Sequence, residues 1–175
     1  AADAVGYGPA QTLPVKPDVG PSRPRVQAML DVDGDGRPEW VTAQPGMRGF
    51  FRLDPHPDEA RFIPFEALPV ELLHRDAVFA DLMGSGLADL ALVGPRSVRL
   101  YAHQQAKGFA AGIEVAHVVE DDDLPSLSPS PSDWVGFSDV LGSGQPHLVR
   151  IRHDEIKCWP NLGRGRFGKG RVLAT

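Results

Sequence analysis

The sequence predicts an all-β fold: about three four-stranded blades of a β-propeller, forming a fragment of a larger propeller. Three observations carry this. Seventeen Pro and nineteen Gly among 175 residues fall mostly between short apolar runs, a punctuation that suits many turns and short strands. An Asp-x-x-Gly-x-Gly loop returns three times. Each copy is entered and left by an apolar run of strand length.

The elements follow in order. Gly6-Tyr-Gly8-Pro reads as the end of a repeat, so residues 1–20 are expected to finish a preceding blade. The first repeat, approximately 24–75, carries Asp31-Val-Asp-Gly-Asp-Gly-Arg-Pro-Glu39 between Met29-Leu30 and Trp40-Val41. The second, 76–120, carries Asp81-Leu-Met-Gly-Ser-Gly-Leu-Ala-Asp89 between Val78-Phe79 and Leu90-Ala91-Leu92. The third, 134–175, carries Asp139-Val-Leu-Gly-Ser-Gly-Gln-Pro-His147 between Phe137 and Leu148-Val149. The loop starts lie 50 and 58 residues apart, a spacing that fits a four-stranded blade with its connections. The longer interval is absorbed by an inserted surface loop over 120–133, rich in Asp and Ser-Pro. A second landmark follows each loop: Phe50-Phe51, Val98-Arg-Leu-Tyr101 and Ile156-Lys-Cys-Trp159. Two of these lead into Gly-Phe-type turns, at Gly108-Phe109 and Gly165-Arg-Phe167. The whole chain therefore reads as one partial propeller domain.

Composition narrows the function. A hydrophobic share of 42% supports a folded core, and a net charge of −5 with mixed signs argues against nucleic-acid binding. No apolar run reaches membrane-spanning length. Residues from Ala1 to Val5 lack a charged stretch followed by an apolar one, so no signal peptide is expected here. Cys158 is the one cysteine, which rules out an internal disulfide and a thiolate metal cluster and is compatible with a reducing compartment.

The first loop is the candidate metal site. Asp31, Asp33 and Asp35 occupy positions 1, 3 and 5, Gly36 gives the sharp turn, Arg37 offers its backbone carbonyl at position 7, and Glu39 closes the set. Hard cations take six to eight oxygen ligands, and carboxylates this close repel one another unless a cation lies between them. One structural Ca2+ is the expectation. Thr42 stands where an EF-hand needs its bidentate Glu, and Trp40-Val41 reads as strand, so the loop resembles that of integrin-type FG-GAP and VCBS blades. The other loops replace the second Asp by Met83 and Leu141 and the third by Ser85 and Ser143; they are expected to be metal-free turns.

Other motifs fail on context. Gly163 to Lys169 approaches a phosphate-binding loop, but Gly170 stands where Ser or Thr must hold magnesium, and Arg171 to Thr175 reads as strand. The six histidines form no His-x-x-x-His pair, and Gly84-Ser85-Gly86 lacks nucleophile-elbow spacing. Glu120 to Asp123 reads as a solvated acidic loop. Tyr101 and Trp159, at equivalent places in their repeats, read as core between blades rather than sugar-stacking platforms. With no acid–base or nucleophile constellation, an enzyme is not expected.

Several phrases resemble one family. They are Leu-Asp-Val-Asp-Gly-Asp-Gly-Arg-Pro (30–38), Gly94-Pro-Arg-Ser-Val-Arg-Leu-Tyr101, Asp139 to Leu148 and Lys157-Cys-Trp-Pro-Asn-Leu-Gly-Arg-Gly-Arg-Phe-Gly168. Together they resemble the middle, N-terminal-side region of the B component of bacterial insecticidal toxin complexes (Tc toxins) and of Spv-type virulence proteins. The resemblance implies a propeller that sits beside an Rhs-type shell made with the C component, docks on the pore-forming A component and gates passage of the effector. It also implies a secreted protein whose partners are those components. A calcium-stabilised adhesin or lectin built from the same blades is the alternative, and it predicts one ligand site per blade.

Overall fold

The computed structural model describes residues 27–53, 62–74, 76–127 and 132–174. The expected blade end over residues 1–20 lies outside them, as do 54–61 and 128–131 of the longer connections.

Among the described residues, twelve short strands form three antiparallel four-stranded sheets, each a simple up-and-down meander. The first holds β1 (Gln27–Leu30), β2 (Glu39–Gln44), β3 (Met47–Phe51) and β4 (Phe62–Pro64). The second holds β5 (Ala77–Ala80), β6 (Asp89–Val93), β7 (Ser97–Tyr101) and β8 (Ile113–Ala116). The third holds β9 (Trp134–Ser138), β10 (His147–Ile151), β11 (Ile156–Trp159) and β12 (Arg171–Ala174). The fold is thus all-β, with three blade-like sheets. Each Asp-Gly loop joins the first strand of a sheet to the second, as the repeat required.

Register explains the core. Trp40 pairs with Phe51, Leu90 with Tyr101 and Leu148 with Trp159, so the second landmark occupies one equivalent place in all three sheets. Successive side chains on a strand point to opposite faces. On β6, Leu90 turns towards the first sheet, in a cluster with Ala43, Leu72, Tyr101 and Phe109. Its neighbours Ala91 and Val93 turn the other way, against Leu148, Trp159 and Phe167 of the third sheet, with Leu82, Val98 and Leu100. The middle sheet is therefore covered on both faces, which is why its strands read as nearly continuous apolar runs. Tyr101 and Trp159 are buried in these clusters, as core.

The Gly-Phe turns earn their places by packing. Phe109 makes ring contacts with Phe65 and Phe79 at 6.2 and 6.4 Å, and Phe167 meets Phe137 at 6.1 Å. The backbone of Phe109 also bonds to Ala67, which ties the β4–β5 connection to the second sheet.

The acidic stretch 120–123 departs from expectation. Glu120, Asp121 and Asp123 are exposed, but Asp122 is buried. Its carboxylate accepts hydrogen bonds from Lys157 Nζ (2.9 Å), Trp159 Nε1 (3.0 Å) and the Gly170 N–H (2.8 Å). Burial pushes this carboxyl up, and the Lys157 ammonium and the N–H donors outweigh it, leaving the net shift downward. A solvated loop was the wrong reading for Asp122, because a carboxylate with three donors waiting on a neighbouring sheet no longer needs water. Leu124, also buried, follows it into the core between the second and third sheets.

Candidate functional site

The three Asp-Gly loops share one architecture. Asp31 accepts hydrogen bonds from the N–H groups of Gly34 (2.8 Å) and Gly36 (2.9 Å). Asp81 accepts from Gly84, Ser85 and Gly86, and Asp139 from Ser143 and Gly144. The paired glycines of every loop have positive φ, 65–85°, the conformation that turns these N–H groups inward. The leading Asp is thus a cap on its own backbone in all three loops, and those donors hold the Asp139 carboxyl below its usual range. Sequence reasoning assigned Asp31 to metal alone and gave Asp81 and Asp139 no role. The missed signal was the retention of the leading Asp in the two loops that have lost the other acids.

The ninth position closes each loop with different chemistry. Glu39 Oε2 accepts from the Val32 N–H at 2.7 Å. Asp89 accepts from Leu82 and Met83 through one oxygen and from His103 through the other, each at 2.9 Å. His147 accepts the Asn161 N–H on Nδ1 at 3.0 Å, while its Nε2 lies 2.9 Å from Ser143 Oγ. All three side chains are buried, which matches the rule that a buried polar group carries its partners with it.

Ser143, His147 and Asp139 sit close together, an arrangement worth testing as a catalytic triad. Because Nδ1 accepts a backbone N–H, the neutral ring carries its proton on Nε2 and donates it to Ser143 Oγ. A general base must instead present a lone pair to the hydroxyl, so this geometry closes a loop and does not activate a nucleophile.

Only the first loop gathers surplus acid. Among the described residues, Asp31, Asp33 and Glu39 can each place one carboxylate oxygen within 4.8 Å of the others. Asp35 lies in the same exposed turn but outside that converging trio, and its Oδ1 accepts the Arg37 N–H at 2.7 Å. Glu39 is 4% exposed; burial raises its pKa, and the charges of Asp33, Asp35 and Asp31 add to the rise against the Val32 N–H. A partial answer to this crowding is Arg52, whose guanidinium pairs with Asp33 Oδ2 at 3.0 Å. An all-oxygen donor set with one buried carboxylate fits a hard divalent cation.

The remaining candidates fall into place. Lys169 is exposed, and the turn over Gly163–Gly165 packs on the second sheet, with the Arg164 N–H bonding to Leu82 O at 2.9 Å. The strand that follows Gly170, β12, is the context that rules out a phosphate-binding helix. No helix among the described residues is long and apolar enough to cross a membrane.

The chain matches no protein-family model and none of the curated proteins. Among solved structures it is similar to a chain of the Photorhabdus luminescens Tc holotoxin pore, at 47% identity over 94% of this chain with a TM-score of 0.81. It is also 46% identical over 87% of its length to a chain of a TcdB2–TccC3–TEV crystal structure (TM-score 0.35). A TcdB2–TccC3 crystal structure gives 43% identity over 94% (TM-score 0.38). The chain spans 7–8% of the length of these relatives.

Proposed function

We propose, from the premise that this chain is a relative of a short segment of the Tc toxin components, that it is a non-catalytic structural and docking module of the B component of such a complex. In this reading it helps attach the effector-containing shell, made with a C component, to the pore-forming A component outside the producing cell, and it helps gate passage of the effector. The observation that carries the reading is the 47% identity over 94% of the chain to part of an assembled holotoxin pore, with a matching fold. Sheets stacked face to face with loops gathered at their ends suit the role: a rigid body that presents loops to protein partners.

The first loop supplies stiffness. Asp31, Asp33 and Glu39, with Asp35 and the Arg37 carbonyl completing the shell, hold one Ca2+, and the ion removes the mutual repulsion that now falls on Glu39.

Docking is tested by biolayer interferometry of this chain on the immobilised pore-forming component of a Photorhabdus Tc toxin. Saturable binding supports the reading; no binding at tens of micromolar sinks it.

A further inference from the structure

We propose that the loop end of the second and third sheets is the protein-docking rim of this chain, with an apolar centre of Met83, Leu141 and Leu162 and a basic flank of Arg164, Arg166 and Lys169. The inference rests on the docking reading above and names its surface. The partner it fits presents apolar side chains ringed by carboxylates.

The first observation is a difference between the three copies of the loop. At the third position of the repeated loop the chain carries Asp33, Met83 and Leu141. A loop tip facing water needs only a small polar group there, such as Ser85 and Ser143 two positions later. These two loops carry large apolar side chains in water instead: Met83 is 37% exposed and Leu141 46%. Met83 belongs to the sheet that is covered on both faces, so its exposure is a property of the loop tip and not of an open sheet face. Leu162, at 56%, adds to the same end of the third sheet. Clustered exposed apolar side chains with a polar border mark protein contact surfaces.

The second observation is local strain. Arg164 has φ of 57° between Gly163 and Gly165, at 81° and 73°. Left-handed backbone is strained for a residue with a side chain, and a third glycine would remove that strain. The guanidinium so placed has no hydrogen bond or ion pair among the described residues.

The loops are neighbours. The Arg164 N–H to Leu82 O bond sets the basic turn beside Met83, and Gly84 lies against the Gln145 side chain of the third loop. Among the described residues Arg166 reaches only carbonyl oxygens of its own turn, at 3.4 Å, and no carboxylate pairs with it. A cationic border around an apolar centre selects a partner of opposite border charge.

The test compares binding of three variants to the same immobilised pore-forming component. Met83→Asp/Leu141→Asp returns both loops to the residue that the first loop already carries and is expected to fold. Arg164→Gly relieves the strain. Each is expected to weaken binding about tenfold or more, with Arg164→Gly raising Tm as it does so. His153→Ala, at the opposite end of the third sheet and 89% exposed, is expected to bind as the parent does. Unchanged affinity in the first two variants overturns the rim while the docking reading stands. Failure of the parent chain to bind overturns both.

Discussion

At the scale of single residues, a carboxylate in this molecule does one of two jobs, and its neighbours decide which. Asp122 is a structural anchor. Replacing it by Ala strands Lys157, Trp159 Nε1 and the Gly170 N–H together, at an expected cost of about 2–4 kcal/mol in urea unfolding. Because its pKa is lowered on folding, its contribution is complete above the unfolded carboxylate range and is lost as pH falls below that range and through the lowered folded-state value. His103 works over a higher window. Burial lowers its pKa, so the folded state prefers the neutral ring, whose Nδ1 accepts the Gln105 N–H at 3.0 Å. Stability is expected to drop as pH falls below about 6.5, and His103→Gln should flatten that part of a Tm-against-pH profile. Glu39 has the opposite sign, with its carboxylate disfavoured by burial and by three neighbouring acids. Added calcium should raise Tm of the parent chain and leave Asp33→Ala unmoved, and native mass spectrometry should count one ion per parent chain and none in the variant.

At the scale of elements, the connections carry as much order as the strands. Gly108 shows why. At φ of 96° it brings the β7–β8 connection so close to the β4–β5 connection that an added Cβ would lie 2.0 Å from Ala67 O. Gly108→Ala is therefore expected to cost about 2 kcal/mol or more and to loosen the backbone pairing of Phe109 with Ala67, readable as faster amide exchange at Phe109. The repeat was legible because each loop turns through positive φ at the same two offsets, a conformation that Gly adopts cheaply. The docked strap at 120–124 was not legible. Four consecutive acidic residues look alike in sequence, and burial singled out Asp122 only because Lys157, Trp159 and Gly170 meet it from 35 or more positions away.

At the scale of the whole molecule, stability resides between sheets. Leu82, fully buried in the cluster shared by the second and third sheets, is the sharpest probe. Leu82→Ala is expected to cost about 2–5 kcal/mol. If the stack is cooperative, fluorescence of Trp40 and Trp159 will report a single shifted transition; two separate transitions would show sheets that melt alone.

The sequence by itself determined the class of fold, the three loops, the place of Tyr101 and Trp159 in the core and the single loop rich enough in oxygen for a cation. Those features depend on local chemistry: turn geometry at Gly, alternation along strands and the spacing of like charges. The tertiary structure alone decided the rest. The equivalent residues Val32, Leu82 and Val140 are 0%, 0% and 41% exposed: Leu82 packs into the cluster shared with the third sheet, Val32 packs with Val41 and Phe50, and among the described residues no further sheet follows the third. Equivalent positions also differ in what they meet: Glu39 lies beside Asp31 and Asp33, whereas His147 accepts the Asn161 N–H and lies against Ser143 Oγ. Burial and partner identity are set by chain segments far apart in sequence, and no local pattern encodes which of them will meet.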